Sequence, residues 1–140
     1  MKKIIKKSLI ALAFISIILP GCEKNSDTDP SVVTTDRDKF LGSWITTSTG
    51  PVHGTLNFTM SISAGTSSAS QIVMENFDAE GSGTFVFGGI SGSSVSIQQQ
   101  VVNGDTIQGS GMYNANGTLS FTYTFRDGQT VDNRTATAHK

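Results

Sequence analysis

Hydrophobic and polar residues alternate along most of the chain after residue 38, which is typical of β-strands with one buried face. The clearest run, residues 56–62, has Leu, Phe, Met and Ile at every second position. Residues 119–125 repeat the pattern with Leu, Phe, Tyr and Phe. No stretch of this region has a convincing helical period. The pattern therefore predicts an all-β domain.

Weaker alternating runs lie between these two, and the predicted strands are 43–49, 55–63, 72–74, 85–87, 95–101, 107–113, 119–125 and 130–138. The breaks between them are rich in Gly, Asn and Asp, which tolerate the positive φ of tight hairpins. Eight short strands joined by hairpins indicate a barrel or a β-sandwich. Because an even number of strands can close into a meander and remove its exposed edges, the antiparallel up-and-down barrel is favoured over the sandwich.

Large side chains dominate the face predicted to point inward, so we expect a mostly filled interior. These residues are Leu56, Phe58, Met60, Ile62, Ile72, Met74, Phe85, Phe87, Val95, Ile97, Ile107, Tyr113, Leu119, Phe121, Tyr123 and Phe125. Gly109 and Gly111 share the face of Ile107 and Tyr113. Glycine there either leaves a gap or lets the strand bend sharply. Any cavity is therefore expected to be small, apolar and close to Gly109, Gly111 and Tyr113.

The chain begins with the pattern of a secretory signal peptide. Four lysines precede an apolar run at residues 8–19, and Pro20-Gly21 ends that run. An uncleaved membrane anchor is the alternative, but a spanning helix needs about 20 apolar residues. Cys22 follows at once and is the single cysteine of the chain. An unpaired cysteine in an exported protein requires an explanation.

The residues "LPGC" at 19–22 resemble the lipobox of bacterial lipoproteins. The resemblance implies cleavage before Cys22, a diacylglycerol on its sulfur and a further acyl chain on its amine. Two or more acyl chains anchor a protein stably. The alternative is that Cys22 is an incidental free thiol. On the lipoprotein interpretation, residues 1–21 are the signal peptide, 22–37 the lipidated N-terminus and flexible tether, and 38–140 the folded domain of a protein anchored in the bacterial outer membrane, at its periplasmic face or on the cell surface.

Removal of residues 1–21 makes the chain acidic. Six Lys and Arg then face eleven Asp and Glu, a net charge of −5. The remaining cations form no cluster in the sequence. Since phosphate binding needs clustered cations, this argues against a nucleic-acid partner.

Residues 40–44, "FLGSW", resemble the G-x-W signature of lipocalins and related calycin barrels. The resemblance implies that Trp44 closes one barrel end and that an arginine of the last strand packs over it. Arg134 is the matching candidate and Arg126 a poorer one. Both roles are structural. The alternative for Trp44 is a plain core aromatic beside a turn glycine. More broadly, residues 38–138 resemble small bacterial lipoproteins with a lipocalin-like barrel.

Catalytic chemistry is not indicated by the sequence. His53 and His139 have no nucleophile or carboxylate at an informative spacing, and we expect both at the surface. Asp78 and Glu80, in "FDAEG", are expected in a solvated turn rather than in a calcium site or a glycosidase pair. We expect no metal and no cofactor. A carbohydrate-binding face is also not expected, because the alternation leaves no row of aromatic residues on the outer strand faces.

These observations predict a lipid-anchored, non-catalytic binding module of the cell envelope. It attaches to the membrane through Cys22 and binds a small apolar ligand or an envelope protein. The alternative is a filled-barrel accessory or inhibitor protein at the outer membrane.

Overall fold

The computed structural model describes residues 35–140, which form a closed barrel of eight antiparallel strands. The predicted signal peptide, Cys22 and most of the predicted tether lie outside the described residues. The strands are β1 (Gly42–Gly50), β2 (Gly54–Ala64), β3 (Gln71–Glu75), β4 (Phe85–Ser91), β5 (Ser94–Val102), β6 (Asp105–Tyr113), β7 (Leu119–Asp127) and β8 (Thr130–His139). Short 3₁₀ turns lie at Asp38–Phe40 and Phe77–Ala79. Within the described range, no helix is long and apolar enough to cross a membrane.

Each strand pairs with the next one along the chain, and β8 returns to pair with β1. The closing register joins Ile45 to His139 and Thr49 to Thr135. Closure satisfies the backbone edges that a sheet would otherwise expose. The predicted up-and-down barrel and all eight predicted strands are therefore confirmed.

Side chains fill the interior of the barrel, as the bulky inward residues predicted. Met60, Ile72, Met74, Ile107 and Leu119 have no exposed surface. They belong to one continuous core that extends from Phe40 to Ala138 along the chain. The interior of the barrel is therefore a packed core of side chains.

The prediction that Phe85 and Phe87 point inward is wrong, since their side chains are 47% and 48% exposed. The register of β3 and β4 explains this, because Met74 faces Val86 and Ile72 faces Gly88. Cross-strand partners share one face of a sheet, so Val86 and Gly88 take the inner positions. The two phenylalanines consequently lie side by side on the outer surface.

The prediction of a gap near Gly109 and Gly111 is also wrong. A Cβ at Gly109 would lie 2.5 Å from both Thr122 O and Tyr123 Cβ. A Cβ at Gly111 would clash with the ring of Phe121. The large residues directly across the β6–β7 register occupy the volume that the glycines leave. Glycine here permits close packing instead of leaving a cavity.

The alternation of strand direction gives the barrel two distinct ends. The connections 51–53, 76–84, 103–104 and 128–129 meet at one end, which we call the Asp78 end. The segment 35–41, the remaining connections and the C-terminus lie at the other, which we call the Trp44 end.

Trp44 is fully buried at its end of the barrel, where its Nε1 donates to Phe40 O at 2.8 Å. Its ring packs edge-on against Tyr113, with centroids 6.4 Å apart. The cation over the indole is Lys140, whose Nζ lies 4.6 Å from the ring centroid, and not the predicted Arg134. The β1–β8 register places Arg134 beside Gly50, six residues along β1 from Trp44, which is about 20 Å.

Candidate functional site

A buried ion-pair network occupies the barrel interior toward the Asp78 end. Arg134, on β8, lies between two carboxylates and is itself fully buried. Its Nη1 is 2.7 Å from Asp132 Oδ2, and its Nε is 2.9 Å from Asp78 Oδ1. A buried charge is costly unless it is paired and hydrogen-bonded, so these three groups depend on each other.

Asp78 reaches the interior because the connection between β3 and β4 adopts an uncommon backbone conformation. Asn76, Asp78 and Ala79 have φ values of 59°, 58° and 65°. A left-handed backbone costs about 1–3 kcal/mol at each non-glycine residue, and it persists where the surroundings hold it in place. Phe77 stabilises this backbone conformation, because its side chain is buried with its ring centroid 4.8 Å from that of Tyr123.

Two hydroxyl groups complete the network around Asp78. Ser48 Oγ accepts from Arg134 Nε at 2.9 Å and donates to Asp78 Oδ1 at 3.2 Å. The Tyr123 hydroxyl donates to the same carboxylate oxygen and lies 2.6 Å from Ser48 Oγ. Asp78 Oδ1 therefore takes every contact named here. Among residues 35–140, no hydrogen bond reaches Asp78 Oδ2.

Burial raises the pKa of Asp78 above its usual value, although the hydrogen bond from Tyr123 and the charge of Arg134 oppose the rise. Burial also raises the pKa of Tyr123, and the adjacent carboxylate of Asp78 adds to that effect. The phenol is therefore neutral at physiological pH. It serves as a fixed hydrogen-bond donor.

The pKa of Asp132 is lowered, in contrast to that of Asp78, because hydrogen bonds reach both of its carboxylate oxygens. Its Oδ1 accepts from the Val52 N–H at 3.2 Å, and its Oδ2 lies 3.0 Å from both the backbone N and Nδ1 of His53. Against burial, which acts upward, the hydrogen bonds from His53, Arg134 and Val52 lower the pKa of Asp132 to about 2. Asp132 is thus ionised and balances Arg134. A negative charge on Asp78 is then in excess.

A pocket of about 380 Å³ opens above this network at the Asp78 end. It is lined by His53, Leu56, Asp78, Glu80, Asp105, Phe125 and Asp127. Four of these residues carry carboxylates, and two are apolar. Burial and the charges of Asp105, Asp78 and Asp127 raise the pKa of Glu80, against a hydrogen bond from Asn103 that lowers it. No Lys or Arg is among the lining residues.

The sequence interpretation of this region was incomplete. Asp78 is 5% exposed, so its expected place in a solvated turn is wrong. Glu80 is half-buried at the rim, and His53 is partly exposed, as expected for a loop histidine. The alternation of β8 contained a usable signal, since Asp132 and Arg134 share the period-two face of Ala136 and would have indicated a buried ion pair.

The remaining sequence-based candidates lie away from this pocket. Gly109, Gly111 and Tyr113 are on β6, and Trp44 is at the other end of the barrel. His139 ends β8 and is exposed. Across residues 35–140, no three His, Asp or Glu side chains are arranged to hold a metal ion.

Comparison of the chain with protein-family models finds no match, and comparison with curated proteins finds none either. A solved structure of similar fold is EF1p2_mFAP2b bound to DFHBI, with a TM-score of 0.52 and 13% sequence identity. The match covers 76% of this chain and 99% of that chain. At this identity the likeness shows the fold alone, which is the closed β-barrel.

Proposed function

We propose that this protein is a non-catalytic, lipid-anchored binding module of the bacterial cell envelope, and that the pocket at the Asp78 end holds a small organic cation. The observation that carries the proposal is the position of Asp78. It is a buried carboxylate at the base of a pocket of about 380 Å³, and it shares one arginine with a second buried carboxylate.

Charge balance favours a cationic ligand. Arg134 supplies one positive charge between Asp78 and Asp132, while Glu80, Asp105 and Asp127 add carboxylates at the rim. A cation in the pocket compensates this excess negative charge. Charge pairs in a partly desolvated pocket interact more strongly than the same pairs in water.

The apolar part of the lining favours a ligand with an apolar body. Leu56 and Phe125 line the same pocket, and the His53 ring stands edge-on to Phe125 with centroids 5.7 Å apart. Pockets of about 300–1,000 Å³ with an apolar lining and a few polar groups are typical small-molecule sites. The sequence alone favoured an apolar ligand, and the carboxylates at the rim change that expectation to an amine with an apolar body. That a barrel of similar fold is bound to DFHBI is consistent with a small ligand.

The membrane anchor is part of the proposal and rests on the residues "LPGC" at 19–22. The intact mass of membrane-extracted protein tests it. We expect a chain that begins at Cys22 and carries the mass of two or three acyl chains. An unmodified Cys22 would remove the anchor from the proposal and leave the pocket in place.

Native mass spectrometry of the full chain, purified under mild conditions in detergent, tests the ligand. We expect one added 2-phenylethylamine molecule per barrel in the wild type and less in Asp78→Asn. Asp36→Asn, at the other end of the barrel, is the matched control. A wild-type barrel that stays empty at millimolar amine contradicts the proposal.

The filled interior favours one other function, an accessory or inhibitor protein that acts through its surface. In that case Asp78→Asn retains the same stoichiometric envelope partner as the wild type in a pull-down, because the pocket is not needed. Loss of that partner in the variant would contradict a surface role.

A further inference from the structure

Phe85 and Phe87 form a row of exposed aromatic residues on β4 that the alternation of the sequence did not indicate. Beside Phe87 lies an outer groove of about 380 Å³. Its lining residues are Ser68, Gln71, Phe87, Gly88, Gly89, Ser96, Gln98, Gln99 and Gln100. None of them is charged. This groove lies on the outer wall of the barrel and does not share a residue with the pocket at the Asp78 end.

The groove exists because β4 and β5 separate. Their backbone pairing extends from Ser91–Ser94 to Gly89–Ser96 and stops there. Beyond that point the side chain of Gln100 bonds the Phe87 backbone, accepting from its N–H and donating to its O, each at 2.9 Å. A side-chain amide thus takes the place of a strand partner. The groove is consequently a fixed feature of the barrel wall.

Several amide groups in the groove remain free to bind a ligand. Gln71 uses Oε1 to accept from Ser67 N, and Gln98 uses Nε2 to donate to Ser96 Oγ. Among residues 35–140, no hydrogen bond is made by Gln71 Nε2, by Gln98 Oε1 or by the side chain of Gln99. A primary amide offers donors and acceptors on one group. This is the pairing that a hydroxyl group requires.

The same neutral surface continues across the neighbouring strands. A second groove of about 550 Å³ shares Ser96, Gln98 and Gln99 with the first. Its other outward-facing polar side chains are also uncharged, and they are Gln108, Thr122, Thr124 and Asn133. Four strand spacings separate β4 from β8, which is about 19 Å along the curved wall. The surface is therefore long enough for a chain-like ligand.

We propose that this face, which we call the glutamine groove, binds a neutral saccharide chain. The exposed ring of Phe87 offers an apolar platform for the C–H face of a sugar ring, while Gln71, Gln98 and Gln99 match its hydroxyl groups. Gly89 keeps the platform accessible, because a Cβ there would have no heavy atom within 4 Å. The lack of charge in the groove favours neutral over acidic saccharides. This site is independent of the pocket at the Asp78 end.

Native affinity electrophoresis of the full chain in gels that contain a soluble polysaccharide tests the proposal. The neutral probes are dextran, amylopectin, galactomannan and mixed-linkage β-glucan, and polygalacturonate is the acidic probe. We expect at least one neutral polysaccharide to retard the protein and polygalacturonate to leave it unaffected. Isothermal titration with a hexasaccharide of the retarding polymer then gives the affinity.

Two variants locate the site, and one controls for surface changes. Gly89→Leu adds a side chain in the groove at an extended position where a Cβ meets no heavy atom within 4 Å, and Phe87→Ala removes the platform. Each should weaken binding at least tenfold, while Ser43→Leu, on the exposed face of β1, should stay within twofold of the wild type. Near-native far-UV circular dichroism shows that the variants fold.

Retardation by none of the neutral polymers, or equal affinity in all variants, overturns the proposal. Binding of an extended Thr-Val decapeptide in place of saccharide overturns it in favour of strand addition.

Discussion

Arg134 Nε lies 2.9 Å from Asp78 Oδ1 in the interior of the barrel, near the end opposite to Trp44. This pair joins the last strand to the connection between β3 and β4, and Asp132 shares the same guanidinium. The resemblance to lipocalins implied a role for Arg134 against Trp44. The register of the closing strands instead places Arg134 toward the Asp78 end, where its guanidinium pairs with the Asp78 carboxylate.

Removal of the Arg134 charge should destabilise the fold strongly. Arg134→Met leaves Asp78 and Asp132 buried without a cation, and breaking a buried pair in this way costs about 3–5 kcal/mol. Arg134→Lys keeps the charge but loses the planar fork, so its cost should be intermediate. Urea unfolding of both variants measures the loss. Arg126→Met, at an exposed position on β7, is the control and should change the free energy of unfolding by less than about 0.5 kcal/mol. A comparable small effect in Arg134→Met would show that the buried pair contributes little.

Asp132 should make the fold sensitive to acid. Its folded pKa of about 2 lies below the ordinary value of 3.8, so the folded state releases its proton more readily than the unfolded state. This contribution to stability is complete above about pH 4 and disappears as the pH falls toward about 2. The measurement is the free energy of unfolding against pH. Asp132→Asn should be less stable than the wild type at pH 6 and show a shallower slope between pH 4 and 2. An unchanged slope would assign the acid sensitivity to other carboxylates.

Asp78 should contribute a pH dependence of the opposite sign. Because burial raises its pKa, the folded state binds the proton more tightly than the unfolded state does. Stability from this group is therefore present at acidic pH and falls as the pH rises above about 4. Asp78→Asn should remove part of this decline between pH 4 and 7, and Glu80→Gln, whose carboxyl pKa burial also raises, should remove a further part. A wild type whose stability declines just as much in the double variant would contradict these assignments.

Two glycines on neighbouring parts of the barrel wall should respond differently to alanine. Gly109→Ala places a Cβ 2.5 Å from Tyr123 Cβ, and such overpacking costs about 1–3 kcal/mol. Gly89→Ala meets no atom within 4 Å in an extended strand, so it should be neutral or stabilise by about 0.4–1 kcal/mol. Thermal unfolding of the two variants makes the comparison. Equal melting temperatures would mean that the space over Gly109 is open, as the sequence first suggested.

Strand positions were predictable because a half-buried strand must alternate, and all eight strands appear where the alternation placed them. The orientation of β4 was not predictable, since "FVFGGI" has hydrophobic residues at both parities near its start. Only the pairing with Ile72 and Met74 on β3 selects Val86 and Gly88 as the inner residues. Local sequence cannot supply such a register.

The candidate site was predictable in part. Asp132 and Arg134 stand at alternate positions with Ala136, so a buried pair on β8 follows from the period-two pattern. The burial of Asp78 was not predictable, because it depends on three residues with a left-handed backbone and on Phe77. No turn signature in the sequence indicates that conformation. Its contact with Tyr123 joins distant parts of the chain, which composition and spacing do not reveal.

The proposed cation site at the Asp78 end is tested most directly by isothermal titration of the full chain with 2-phenylethylamine and with its neutral counterpart 2-phenylethanol. We expect the amine to bind at least tenfold more tightly than the alcohol, and its affinity to increase with pH as Asp78 and Glu80 lose their protons. Asp78→Asn should remove most of this preference, whereas Asp36→Asn should preserve it. Equal affinity for amine and alcohol, or a preference that persists in Asp78→Asn, would contradict a cation site at Asp78.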